Sequence, residues 1–324
     1  MAPDPLPQTS LTQHVLRISE PSESLPFYTN KLGFTLTAQH CDGNDTYYML
    51  AYGRKEQTKT GEETSLRVPE NDCLLVLAHR PSQPPAKVAR QPDLSEGYWK
   101  IAIAVRDVDI ARDRLLAHGI DVDTPRQVPD IAYLCHFSDP DGYCIELIQH
   151  DFAHHHTAGQ MCPDFPLGTE PTFSLITLRA RDIVRSRDFY ESLFGMRLLS
   201  RQAVDSRQFT LYFFAATDES PPESDVDHID NREWLWRRPY TILELQHIWG
   251  TEDDPDFSYH TGDESGFIGM AIACENLDGV ISIAQAMGVS STAPDHDPVS
   301  GARAVYLSDP DGYRIQVLEA PTQR

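Results

Sequence analysis

The chain has 324 residues, 40% of them hydrophobic and 23% charged, with a formal net charge of −22; this is a globular composition with length enough for two domains. The acidic excess argues against nucleic acid and anionic membranes as partners, because phosphates would be repelled. There is no apolar run of transmembrane length, no basic-then-apolar leader and no CxxC among the six cysteines, so a reduced, cytoplasmic protein is expected.

In chain order, residues 8–150 open on a strand at "HVLRI" (His14–Ile18). A helix follows over "SLPFYTNKLGF" and stops at Gly33, and β-rich "YYMLAYG" comes next. The polar "QTKTGEETSLRVPEND" reads as a loop before the strand "CLLVLAH". A second strand, "KIAIAV" (Lys100–Val105), precedes an amphipathic helix over "VDIARDRLLAHGI". Ile110, Leu115 and Leu116 form its expected apolar stripe, and Gly119 its C-cap. The DPDG turn at 139–142 then launches a strand carrying Glu146. Residues 151–171 read as a linker whose His154, His155 and His156 are solvated.

Residues 172–320 repeat the order. "SLITLR" (Ser174–Arg179) is a strand and "DIVRSRDFYESLFG" a helix. "TDESPPESDVDHIDNREW" reads as a loop, with Trp234 and Trp236 starting the strand that leads to Glu244. "GMAIAC" and a second DPDG turn close the chain, and here Gln316 stands where the first copy has Glu146. The two copies, "SDPDGYCIELIQH" and "SDPDGYRIQVLEA", make an internal duplication plain. Each half holds two units of order β-α-β-β-β, so the fold class is α+β, four βαβββ units in two tandem halves. Duplication within one chain suggests a monomer.

The segments "LRISEP…FYTNKLGF", "LELQHIWGTEDD" (Leu243–Asp254) and "DPDGYCIE" (Asp139–Glu146) together resemble glyoxalase I, the lactoylglutathione lyase family of the vicinal oxygen chelate superfamily. The fused two-half chain is similar to the monomeric fungal form. The resemblance implies that pairs of units curve into cups. It also implies four ligands for zinc or nickel: Gln or His on a first strand, Glu in "LEL", His before "IGIAV", and Glu after DPDGY. That last glutamate moves a proton next to the substrate carbonyl, while the dication stabilises the enediolate.

Carried over residue by residue, the first-strand positions are Gln13 and Leu175. The "LEL" positions are Val76 and Glu244, the histidine positions Lys100 and Gly269, and the DPDGY positions Glu146 and Gln316. In the family the first unit of one half shares a cup with the second unit of the other. One cup would then hold Gln13, Val76, Gly269 and Gln316, and the other Leu175, Glu244, Lys100 and Glu146. If each half built its own cup, four ligands would still not assemble. Of the glutathione contacts, only the first-strand arginines persist, as Arg17 and Arg179. The family's asparagine, arginine and lysine positions fall on Ile248 and Arg80, on Ser265 and Glu96, and on Asp130 and Ser300.

The expected function is therefore proton transfer, isomerisation or lyase chemistry next to the carbonyl of a small molecule, without the four-ligand metal. Glu146, Glu244 and Lys100 would be catalytic, and Arg17, Arg179, Gln13 and Gln316 would bind substrate. One alternative is a metal-dependent lactoylglutathione lyase, with zinc or nickel on Glu146 and Glu244. The other is a non-catalytic binder of the same fold.

Overall fold

The computed structural model describes residues 8–55, 66–67, 73–86, 88, 93–262 and 266–320. Most of the polar segment at 57–72 lies outside these residues. The first unit comprises β1 (Thr9–Ile18), α1 (Pro21–Pro26), β2 (Thr35–Asp42), β3 (Asp45–Ala51), a small β4 (Arg54–Lys55) and β5 (Leu66–Arg67) pair, and β6 (Leu74–His79). The second comprises β7 (Tyr98–Val105), α2 (Val108–Ala117), β8 (Arg126–Val128), β9 (Ala132–Ser138) and β10 (Cys144–Gln149). The third has β11 (Thr172–Ala180), α3 (Ile183–Phe194), β12 (Arg197–Val204), β13 (Phe209–Ala215), α4 (Asp230–Trp236) and β14 (Ile242–Ile248). The fourth has β15 (Phe267–Cys274), α5 (Leu277–Ala286), β16 (Asp295–His296), β17 (Arg303–Ser308) and β18 (Arg314–Glu319).

These strands make two eight-stranded sheets. One runs β16-β17-β18-β15-β1-β6-β3-β2, the other β12-β13-β14-β11-β7-β10-β9-β8. Each sheet thus joins one unit from each half, through antiparallel pairing of β1 with β15 and of β11 with β7. A continuous apolar core connects both sheets and the helices. It includes Leu16 and Leu75 of the first sheet, Ile101 and Ile176 of the second, and Tyr28 and Tyr190 of the helical segments. His14 is fully buried within it, stacked on Tyr98 and Phe267 at centroid distances of 5.5 and 5.1 Å. Burial holds its imidazole neutral, with the pKa pushed down to about 3.

Three local expectations need correction. The first helix begins at Pro21 and widens into a π-turn over Phe27–Lys31, with the Leu32 amide donating to the Phe27 carbonyl. Pro26 lies inside it and lacks an N–H, so the ordinary bonding ladder is interrupted there. The buried stripe of α2 is Val108, Ala111 and Leu115, whereas Leu116 is exposed. Trp234 and Trp236 do not start a strand but end the short helix α4. Polar interactions fix that helix: buried Arg232 donates to Ser200, to the Arg201 carbonyl and to Gln202, and buried Asn231 bonds the backbone of Glu223 and Asp225.

The DPDGY turns interlock the units within each half. Asp139 accepts from the Tyr28 hydroxyl (2.9 Å) and Asp309 from Tyr190 (2.9 Å). Asp141 and Asp311 accept from Ser24 and Ser186. The Tyr143 hydroxyl donates to the Arg17 carbonyl (2.7 Å), and Tyr313 to that of Arg179 (2.8 Å). Each of these hydroxyls sits where only a glycine fits: a Cβ on Gly266 would run into Tyr143 Oη, and one on Gly97 into Tyr313 Oη. Among the described residues no helix is long and apolar enough to cross a membrane.

The expectation is that Gly97→Ala and Tyr313→Phe each lower stability by about 1–3 kcal/mol in urea titrations, through overpacking and a lost buried hydrogen bond. The double variant should lose less than the sum, because removing the hydroxyl relieves the clash. Additive losses would mean that the two groups do not meet.

Candidate functional site

The cross-half sheets settle which residues share a cup. In the second sheet, neighbouring strands place Phe213 opposite Glu244, Glu244 beside Thr177, and Thr177 opposite Lys100. Glu146 lies on β10, beside β7, with His136 opposite it on β9. Strand alternation turns Cys144, Glu146 and Ile148 to the cup wall and Ile145 and Leu147 to the core.

Here Lys100, Glu146 and Glu244 do meet. Lys100 Nζ is 3.0 Å from Glu146 Oε1 and 3.1 Å from Glu244 Oε2. All three side chains are almost fully buried. Thr177 donates its hydroxyl to the same Glu244 oxygen, and His136 Nε2 lies 3.0 Å from Glu146 Oε2. Lys100 also stands 5.0 Å from the centre of the Trp99 ring. Burial alone would raise the Glu146 pKa, but the Lys100 ammonium and the nearby His136 ring hold it down at about 2. Burial alone would lower that of Lys100, and the two carboxylates reverse this and hold it above its ordinary value.

The cluster forms part of the wall of a cavity of about 520 Å³. The other walls are largely apolar, including Leu134, Ile148, Leu175, Leu211, Phe213 and Trp236. Trp236 reaches this wall because α4 folds over it, donating its indole N–H to the Ile131 carbonyl at 3.0 Å. A second cavity of about 400 Å³ adjoins the first and shares Trp99, Arg126, His136, Arg207 and Phe209 with it. Arg179 faces this second space. Its guanidinium donates to Gln246 Oε1 (3.1 Å) and to the carbonyls of Glu96 (2.8 Å) and Asp93. Burial holds its pKa below the usual arginine range.

The remaining candidates lie in the other cup. Arg17 donates to Gln83 Oε1 (2.6 Å) and Gln316 to Asp297 Oδ1 (3.0 Å), while Gln13 is half-buried on β1. Val76 is buried there, and at Gly269 a Cβ would meet the Arg314 carbonyl oxygen at 2.5 Å. The linker histidines are more engaged than expected: His155 contacts Glu233 (2.9 Å) and His156 contacts Asp107 (3.0 Å).

Neither donor set suits a divalent ion. Gln13, Val76, Gly269 and Gln316 supply no anion. In the other cup an ammonium stands between the two carboxylates and an aliphatic side chain takes the first-strand place. Among the described residues, the His/Cys/Asp/Glu group whose donor atoms all lie within 4.8 Å of one another is Glu223, His228 and Asp230, outside both cavities.

The family model for the glyoxalase/bleomycin resistance protein/dioxygenase superfamily matches residues 10–147 and 172–317. The chain belongs to that superfamily. It is 27% identical to glyoxalase I of Saccharomyces cerevisiae over 96% of this chain and 93% of that one. It is 25% identical to the lactoylglutathione lyase of Schizosaccharomyces pombe, covering 95% and 96%. Among solved structures, glyoxalase I from Zea mays matches with a TM-score of 0.67 at 20% identity, over 96% of this chain and 92% of that one. That last likeness concerns the fold.

His136, Thr177 and Trp99 were not singled out from the sequence. His136 was within reach: the DPDG hairpin pairs Ser138 with Cys144, and two steps on this register sets His136 against Glu146.

Lys100→Met should destabilise the fold by about 3–5 kcal/mol, since it leaves two buried carboxylates unpaired. The triple change with Glu146→Gln and Glu244→Gln should recover much of that loss. In the wild type, the Glu146 contribution is present above the ordinary carboxylate pKa and is lost as pH falls toward about 2. In Lys100→Met the ammonium is gone and burial would raise the Glu146 pKa, so stability should fall as pH rises. Urea midpoints at about pH 3 to 8 read this contrast: in the wild type this contribution is flat above about pH 5 and falls below it, whereas in Lys100→Met stability falls as pH rises.

Proposed function

We propose that the cup around Lys100 catalyses proton transfer next to the carbonyl of a small molecule, as a lyase or isomerase of the glyoxalase type. The observation that carries this reading is the Lys100 ammonium held 3.0 and 3.1 Å from two carboxylates at the wall of a cavity. An ammonium has three N–H donors, and Glu146 and Glu244 take two of them. The third is available to a carbonyl oxygen, where it would stabilise the enolate as charge develops. Glu146 is the proposed proton acceptor. Its low pKa makes it a weak base while Lys100 holds it, and it gains basicity as the substrate oxygen draws on the ammonium. Glu244, anchored by Thr177, keeps Lys100 charged and placed. In the other cup the four matching positions, Gln13, Val76, Gly269 and Gln316, carry no ionisable side chain, and a structural role is assigned to it.

A second reading is a metal-dependent lactoylglutathione lyase, favoured by the likeness to glyoxalase I of Saccharomyces cerevisiae over 96% of the chain. Methylglyoxal with glutathione, in buffer containing a chelator, separates the two. Turnover that survives chelation and falls by about 10²–10⁴-fold in Glu146→Gln supports the metal-free assignment. Turnover that is abolished by chelation and restored by zinc or nickel supports the second reading. Full turnover in Glu146→Gln would sink the base assignment under either.

A further inference from the structure

We infer that the ligand of this cup is an amphipathic anion: a carbonyl compound with a bulky apolar body on one side and a carboxylate or similar anion on the other. This rests on the proposed function above for the position of the carbonyl, and extends it to the substrate class.

The size and chemistry of the two spaces carry the inference. The larger, of about 520 Å³, is in the range that encloses drug-sized ligands. A methyl ketone would leave most of it unfilled. Its walls of Leu134, Leu175, Leu211, Phe213 and Trp236 offer a body no hydrogen bond except at the indole, and that N–H is already donated to Ile131. Such a space favours aromatic or branched hydrocarbon.

The smaller space is of opposite character. Arg126, Arg179 and Arg207 line it, against one carboxylate, Asp123. Arg126 comes from β8 and Arg207 from the turn Asp205–Arg207, so two different units deliver them to the shared rim. Neither forms an ion pair among the described residues, although Asp130 and Asp205 stand elsewhere on the rim of the larger space. Arg179, 4% exposed, spends its donors on neutral acceptors. Three guanidiniums beside one opening and one facing acid make a site for an external anion. Trp99, His136 and Phe209 stand where the two spaces meet, next to Lys100, and there the carbonyl would lie.

Calorimetric titration with three probes tests this. 4-Benzoylbenzoate carries body, ketone and anion; 4-benzoylbenzamide is its neutral counterpart; 4-oxopentanoate is a small keto acid without the body. The acid is expected to bind about tenfold or more tightly than either control. In Arg126→Ala/Arg207→Ala, the acid should fall to the affinity of the amide while the amide is unchanged, a split that misfolding would not produce. Irradiation of the bound ketone should label residues of the two cavities. Equal binding of acid and amide, an acid preference that survives in the double variant, 4-oxopentanoate binding as tightly as the acid, or labelling elsewhere would each overturn the inference. Binding as expected with no turnover of any carbonyl substrate would instead remove the catalytic proposal and leave the ligand class standing.

Discussion

The antiparallel pairing of first strands across the halves, β1 with β15 and β11 with β7, is the constraint on which the rest depends. It builds each sheet from one unit of each half, so neither half contains a whole cup. The DPDGY turns bind in the other direction, tying the two units of the same half through Tyr143 and Tyr313. Sheets cross between halves and corners lock within them. Buried hydroxyls, tight glycines and the shared apolar core then act on one body, in which His14 packs against aromatics from both the second and fourth units.

The same pairing distributes the charge. Had each half closed on itself, Lys100 and Glu146 would lie apart from Glu244. Across the halves, an ammonium meets two carboxylates and the buried charges compensate one another. The opposite cup receives two amides, a valine and a glycine whose backbone lies against Arg314, so it has nothing to ionise at those positions. The two cups of this duplicated framework carry different residues at matching positions, Glu146 against Gln316 among them.

The repeat and the four units were legible because duplication writes them twice and the DPDGY and "LEL" strands alternate regularly. The membership of Lys100, Glu146 and Glu244 in one cup followed from family resemblance; the sequence alone left the pairing open. His136 follows from counting back along the DPDG hairpin, an inference that propensity does not prompt. The helix α4 was not legible. It is a short helix after a proline-dotted segment, and tertiary bonds from Arg232 and Asn231 hold it, not an apolar period of its own. Trp236 thus arrives in the cavity wall from a helix where the sequence reads as the start of a strand. The arginines of the smaller space were likewise hidden, because Arg126 and Arg207 come together only when two units from different halves join.

The proposed chemistry requires the Lys100 ammonium to hold both carboxylates in the place of a dication. Crystals grown with zinc, measured for anomalous scattering at the zinc edge, test it most directly. No zinc is expected between Glu146 and Glu244, with Lys100 Nζ within hydrogen-bonding distance of both. A zinc peak bridging the two carboxylates, with Lys100 turned away, would contradict it.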